Sequence, residues 1–323
     1  MASKKVLILG ARGMLGQELV RVFSLDEQYE VAGWDREDID ITDFAAAEEK
    51  VRAYKPEIIV NAVAYNAVDV CEENDEEYKK ALLLNVEVPK FLARVTKEIG
   101  ATLIHYSTDY VFDGALEGTK KEAGGCATGS CCGGNCHGKV EAGYDEAALP
   151  NPLSRYGMSK YLGEREVQKE AEKYYLIRLS KLFGKAAASA IAKKSFFEKM
   201  FNIARLAEEG KSRQAQEKSE VTVVNDEKSC FTYAPDLAVA TKELVESGDS
   251  FGIYHLANSG AATWYEGARE LYAQAHIGVT IQPVGSDAFP SKALRPKCSV
   301  LLNTKRPPLR PYQEALGEYL KNI

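Results

Sequence analysis

Apolar and polar positions alternate along the chain with two different periods. Val6 to Leu9 is an unbroken apolar run, as a strand of a parallel sheet buried on both faces requires, and Leu15, Leu19 and Val22 then recur at helical spacing. Further strand-like runs lie at Val31–Trp34, Ile58–Asn61, Ala101–Ser107 and Tyr175–Leu179, with helical patterns between them, among them FAAAEEKVRAY and VPKFLARVTKEIG. The second of these stops at Gly100, a residue suited to the left-handed turn that closes a helix. Strands alternating with helices predict right-handed crossovers and an α/β fold of Rossmann type, a doubly wound parallel sheet. Beyond Gly184 the rhythm loosens. The segment 185–216 reads as helical, and the later strands VTVV, GIYHL and VTIQPV are set among helices and loops. The pattern predicts a dinucleotide-binding domain over 1–184 and a smaller C-terminal α/β substrate lobe over 185–323, some strands of which return to the main sheet.

Composition narrows the function classes. With 45% hydrophobic and 27% charged residues the chain is an ordinary globular one, and its net charge of −6 gives no electrostatic reason for a nucleic-acid partner. No stretch approaches the roughly 20 apolar residues of a membrane span, and MASKKVLILG lacks a secretory apolar core, so the cytoplasm is the expected location. Whether the chain pairs into a homodimer stays open.

Four sets of residues carry candidate chemistry. Gly10, Gly13 and Gly16, with Arg12, Met14 and Leu15 among them, follow the first strand and open the first helix, where glycines let a pyrophosphate approach the helix N-terminus. At the end of the second strand Asp35 suits the ribose of NADH and Arg36 the 2′-phosphate of NADPH, so both cofactors remain open, with Arg12 a second phosphate partner. Asp40 and Ile41 follow where adenine would lie. Tyr156 and Lys160 are four apart and share a helix face, so that the ammonium favours the phenolate and brings Tyr156 toward a working pKa as a general acid. Ser107 and Thr108 end the fourth strand, where a hydroxyl can hold a carbonyl oxygen as it gains charge.

Together these residues resemble the extended short-chain dehydrogenase/reductases, and within them the dTDP-4-dehydrorhamnose reductase family. Beyond the glycines and YGMSK, the resemblance runs through NAVAYNAVDVCEEN from Asn61, STDYVFDG from Ser107, RLSKLFG from Arg178, FTYAPDLA from Phe231, GIYHLANSG from Gly252, TWYEGARELY from Thr263 and LRPKCSVL from Leu294. It implies hydride transfer from NADPH or NADH to the C4 carbonyl of a nucleotide-linked 4-keto-6-deoxy sugar. Tyr156 would protonate the oxygen, Lys160 would hold the nicotinamide ribose, and Thr108 would hydrogen-bond the substrate oxygen. The same resemblance puts Asn61, Ala62, Ala64 and Tyr65 along the cofactor, and Tyr65, Val68, Asp69, Ser107, Trp264 and Arg295 on the substrate side, Arg295 suited to the diphosphate. The chain departs from the family where Cys230 stands in place of a usual proline, which bears on sugar or base specificity. Rival readings are a nucleotide-sugar epimerase or dehydratase on the same fold, and a non-catalytic regulatory subunit.

One stretch is foreign to the resemblance. Residues 115–143 lengthen the link between Thr108 and Tyr156 and hold GGCATGSCCGGNCHGK, in which Cys126, Cys131, Cys132, Cys136 and His137 are enough soft ligands for a zinc ion or an iron-sulfur cluster. The spacing matches no zinc knuckle, so a metal site, a redox-active thiol cluster and a plain insert all stay open.

Overall fold

The computed structural model describes residues 3–115, 142–188, 194–208, 220–289 and 291–322. Its first half alternates as the hydrophobic pattern predicts: β1 (Lys4–Leu9), α1 (Met14–Ser24), β2 (Tyr29–Trp34), α2 (Phe44–Tyr54), β3 (Ile58–Asn61), α3 (Val68–Glu73), α4 (Asp75–Leu82), α5 (Val88–Ile99), β4 (Thr102–Thr108), α6 (Arg155–Glu170) and β5 (Tyr174–Leu179). A π-helical turn, Leu83–Glu87, joins α4 to α5.

The strands form one six-stranded sheet in the order Gly252–His255, β5, β4, β3, β1, β2, and every pairing is parallel. Successive side chains of a strand point to opposite faces, and β1 shows the consequence. Val6 and Ile8 enter a core with Leu19, Phe23, Leu237 and Leu244, whereas Leu7 and Leu9 enter another with Val51, Leu92 and Val95. Helices therefore cover both faces, and the sheet is doubly wound, as expected. Because β1 lies between β2 and β3, the crossovers leave it in opposite directions, opening a crevice beyond the carboxyl ends of β1 and β3 where such sheets take ligands.

The strand Gly252–His255 and the helix Ala234–Ser247 both come after residue 184, yet they belong to the main sheet and its core. A separate aromatic core gathers Phe183, Phe197, Phe231, Tyr272, Tyr312 and Leu316 under the helices Phe196–Glu208, Trp264–Gln274 and Tyr312–Lys321, beside the parallel pair Glu220–Val224 and Thr280–Val284. Among the described residues no helix is long and apolar enough to cross a membrane.

Candidate active site

The turn after β1 is shaped by what its glycines exclude. Gly10 has φ +76°, and the N–H groups of Gly10 and Ala11 both donate to the Trp34 carbonyl, at 2.9 and 3.2 Å. A Cβ on Gly10 would lie 3.1 Å from the Ala62 carbonyl, and one on Gly16 only 2.0 Å from the Gly10 oxygen. The turn and the end of β3 are thus packed backbone to backbone, and α1 starts directly above them. No side chain caps α1 at Gly13, so the first-turn N–H groups face the crevice at the positive end of the helix. A pyrophosphate fits this cradle, and a side chain at either glycine would fill it. Leu15 offers the crevice only its backbone, because its side chain is buried in the core beside Leu19.

At the tip of β2 the Asp35 carboxylate accepts the backbone N–H groups of Arg12 and Arg36, each at 2.9 Å. This fixes the strand end against the glycine turn and leaves the Arg36 side chain exposed. The Arg12 guanidinium pairs with Glu37 at 2.9 Å, an exposed contact that a phosphate could replace. Asp40 accepts from the Thr42 hydroxyl, which lowers its pKa, and Ile41 turns inward to pack with Val51. Beyond β3, Asn61 is buried and its amide meets His105 Nδ1 at 3.1 Å, while its oxygen accepts from the Val63 N–H. Ala62 touches the glycine turn, Ala64 is exposed, and Tyr65 is held on both backbone groups by the buried Asn85 amide. The Tyr65 hydroxyl donates to Glu77 at 2.8 Å.

The helix α6 carries Tyr156 and Lys160 into this crevice. Ser154 caps it, accepting from the Gly157 N–H at 3.1 Å. A Cβ on Gly157 would sit 2.3 Å from the Tyr110 carbonyl, and one on Gly163 1.9 Å from the Asn85 carbonyl, so two glycines let α6 lie flush against the segment after β4 and the π-helical turn. Lys160 is fully buried and donates from Nζ to the Tyr106 carbonyl at 2.6 Å. Burial lowers its pKa to about 8.

Tyr156 differs from the reading that Lys160 draws its pKa down. Burial is the larger influence and pushes the phenol above its ordinary value, with the Asp109 carboxylate adding to the rise and the neighbouring Thr108 hydroxyl opposing it. Physically, desolvating a phenolate costs more than the surrounding groups return, so Tyr156 is held protonated. Thr108 is also committed differently. Its hydroxyl donates to Asp109 Oδ1 at 3.1 Å and accepts from the Tyr110 N–H at 3.2 Å. Ser107 Oγ is buried without a hydrogen-bond partner.

On the facing side, Arg295 pairs with Asp69 at 2.7 Å, and Ser291 donates to the same carboxylate. Trp264 donates from Nε1 to Glu227 at 3.0 Å, and its ring lies 4.2 Å from the ammonium of Lys181. Lys181 donates to the Ala262 carbonyl, and burial lowers its pKa to about 8. Val68 opens α3 beside Asp69. The structure thus brings Thr108, Tyr156 and Lys160 together, and adds Asp109, Lys181 and Asn85, which sequence reasoning missed. Asp109 and Lys181 both lie inside motifs that were singled out, STDYVFDG and RLSKLFG, so position within a motif was the available signal.

Cys126, Cys131, Cys132, Cys136 and His137 lie outside the described residues, and with them the zinc or iron-sulfur expectation. Among the described residues no group of three or more His, Cys, Asp or Glu side chains could hold a metal. Cys71 and Cys230 are buried thiols.

The family model described as "RmlD substrate binding domain" matches residues 4–323. The chain belongs to this family. The spore coat polysaccharide biosynthesis protein SpsK of Bacillus subtilis (strain 168) is 32% identical over 321 residues, covering 98% of this chain and 97% of that protein. A dTDP-4-dehydrorhamnose reductase of Burkholderia thailandensis is 30% identical over 315 residues, covering 93% and 90%. Among solved structures, the dTDP-4-dehydrorhamnose reductase of Bacillus anthracis in complex with NADP superposes with a TM-score of 0.80 at 28% identity, covering 99% of this chain and 100% of that one. The glycine turn, the end of β4 and the start of α6 described above all fall within the span that the RmlD model matches.

Proposed function

We propose that the protein catalyses the NADPH-dependent reduction of the C4 keto group of a dTDP-linked 4-keto-6-deoxy sugar, of the dTDP-4-dehydrorhamnose type. The observation that carries this reading is the placement of Tyr156 and Lys160 beside the carboxyl end of β4, which only β3 separates from the strand that leads into the glycine turn at the switch point of the sheet. The names of the Burkholderia and Bacillus anthracis relatives, and the NADP in the latter, support the substrate and the cofactor.

When bound, the nicotinamide cofactor supplies a hydride to the sugar carbonyl carbon. Gly10, Arg12, Gly13, Met14, Leu15 and Gly16 would hold its pyrophosphate through backbone N–H groups, with the exposed Arg36 and the displaceable Arg12 side chain available to a 2′-phosphate. That pair favours NADPH over NADH. Asn61, Ala62, Ala64 and Tyr65 would line the nicotinamide half. Tyr156, kept protonated by burial, donates its phenolic proton to the sugar O4 as charge develops there. Lys160 would hold the ribose while its ammonium stays anchored on Tyr106. Across the crevice, Tyr65, Val68, Ser107 and Trp264 would contact sugar or base, and Arg295 would trade part of its pairing with Asp69 for the diphosphate.

The test is the loss of reduced-nicotinamide absorbance when the protein is mixed with NADPH or NADH and enzymatically generated dTDP-4-dehydro-L-rhamnose. Rapid oxidation with NADPH is the expected result. Intact cofactor binding without turnover would reject this substrate.

A further inference from the structure

Lys181 stands just past the carboxyl end of β5, two residues beyond Leu179, the register partner of Thr108. Its backbone is left-handed, at φ +40°, a conformation that a residue with a Cβ takes only where its surroundings impose it. Thr232 supplies the constraint: its hydroxyl donates to the Ser180 carbonyl at 2.6 Å and its N–H to the Lys181 carbonyl at 3.3 Å. The lysine side chain reaches into the C-terminal lobe. There Nζ donates to the main-chain carbonyls of Ala262 at 2.9 Å and Glu227 at 3.4 Å, and lies 4.2 Å from the ring centroid of Trp264 and 4.9 Å from that of Phe231.

A buried ammonium is ordinarily paired with a carboxylate. Both hydrogen bonds of Lys181 go instead to peptide oxygens, the carboxylates of Asp109 and Glu227 act on it only through space, and two aromatic faces complete its surroundings. A desolvated ammonium over an indole is the strong form of this attraction. Trp264 takes its orientation from two contacts that meet at one residue. Its edge is tied by Nε1 to the Glu227 carboxylate at 3.0 Å, and its face rests on the ammonium that the Glu227 carbonyl also holds. Edge and face together define the plane of the ring, whereas the edge alone lets it rock about the Nε1 bond. The ring remains partly exposed, a flat apolar surface of the kind that lines ligand pockets.

We propose that Lys181 is a positioning residue for substrate binding: its ammonium fixes the plane of Trp264, so that the ring meets the sugar or base of the nucleotide sugar in one orientation. This rests on the reduction proposed above and on the contact of Trp264 with that substrate. It gives Lys181 no part in hydride or proton transfer. Because Lys181 follows the strand paired with β4, the wall that receives the substrate is set from the sheet that carries Thr108. The charged and titratable groups facing the ammonium are Asp109 after β4, Glu227 and Cys230 on the segment before Phe231, and Glu266 on the helix that Trp264 opens. All four favour the charged form, against the burial that lowers the Lys181 pKa to about 8.

The experiment starts from Lys181→Met, which keeps the length of the stem and removes the charge. KM for the dTDP-sugar is expected to rise by about 10-fold, with kcat within about 3-fold and NADPH affinity unchanged, since the ring binds substrate and transition state alike. Lys181→Arg, which keeps a cation against the ring, should recover most of the loss. In the Trp264→Leu background Lys181→Met should cost less than about 2-fold in KM, because Lys181 acts through the ring. A KM loss of equal size with and without Trp264, or an unmoved KM, overturns the proposal. A second readout needs no substrate. The chain has two tryptophans, and the indole emission of wild type should change with a midpoint near pH 8 as the ammonium loses its proton. That change should be absent from Lys181→Met and from Trp264→Leu and kept in Cys230→Ala. If Lys181→Met does not fold, wild type and Trp264→Leu still decide, and superimposable titrations of the two overturn the proposal. Wild-type protein inactive on the dTDP-sugar would overturn the reduction itself, whereas active wild type with an unmoved KM in Lys181→Met overturns only the role of Lys181.

Discussion

Lys160 Nζ and the main-chain carbonyl of Tyr106 lie 2.6 Å apart, so the buried ammonium of α6 is anchored on the same strand that ends in Thr108. Its folded pKa is depressed from the ordinary 10.5 to about 8 because burial disfavours the charge. Between those values the unfolded chain binds more protons than the folded one, so this lysine's contribution to stability rises with pH across pH 8 to 10.5. The gain of wild type relative to Lys160→Met should reach about 3 kcal/mol over that window, since each pH unit between the two values contributes about 1.4 kcal/mol. Urea unfolding of both proteins at about pH 8, 9 and 10 measures it. Parallel curves would show that Lys160 is solvated in the folded state.

Tyr156→Phe removes the phenolic hydroxyl from a helix that Ser154, Gly157 and Gly163 seat independently. Turnover should fall by roughly 10² to 10⁴, the usual contribution of a positioned acid, with NADPH affinity within about 2-fold of wild type. Single-turnover kinetics and fluorescence titration with NADPH separate the two quantities. Wild-type turnover in this variant would remove Tyr156 from the mechanism.

Two glycine substitutions separate cofactor shape from general strain. A Cβ at Gly16 would meet the Gly10 oxygen at 2.0 Å, so Gly16→Ala must push the turn and the helix apart. Gly100 lies in the left-handed region, at φ +73°, and a Cβ there meets nothing within 4 Å. Gly100→Ala should cost about 1 kcal/mol of stability with NADPH affinity intact, as left-handed backbone costs any side chain. Gly16→Ala should weaken NADPH binding by at least about 10-fold, with a stability loss of roughly 1–3 kcal/mol from overpacking. Equal NADPH affinity in the two variants would place the cofactor elsewhere.

The sheet was legible because parallel strands buried on both faces leave unbroken apolar runs, and the runs at Val6–Leu9 and Ile58–Asn61 coincide with β1 and β3 almost residue for residue. The motif positions at Gly10, Thr108, Tyr156 and Lys160 were legible for a different reason: each sits where a strand ends or a helix begins. What helical spacing could not supply is burial. It placed Tyr156 and Lys160 on one face but said nothing of the desolvation that raises the phenol and lowers the amine. Nor could local sequence reveal that Ser299 crosses the fold to reach Asp109, that Lys181 lies under Trp264, or that Leu15 and Ile41 turn into the core. These depend on contacts between residues far apart in the chain.

Arg178 and Glu164 form a fork-to-fork pair at 2.9 and 2.7 Å, with side chains 1% and 0% exposed, joining β5 to the middle of α6. The guanidinium also lies 5.1 Å from the Phe112 ring centroid and 3.4 Å from His255, whose pKa burial and the Arg178 charge lower to about 3. A neutral His255 therefore faces the arginine, and Glu164 is the carboxylate that meets its charge. Removing one partner leaves a buried charge without compensation, so Glu164→Ala should destabilise the protein by roughly 3–5 kcal/mol. Replacing both, as Glu164→Leu with Arg178→Met, should recover most of that loss, because the desolvation cost of the two charges disappears with their attraction. Urea unfolding of the single and double variants decides it. Additive losses would mean that the pair holds α6 through its geometry, and the position of Tyr156 on the same helix would then shift with it, visible as lost turnover in the double variant.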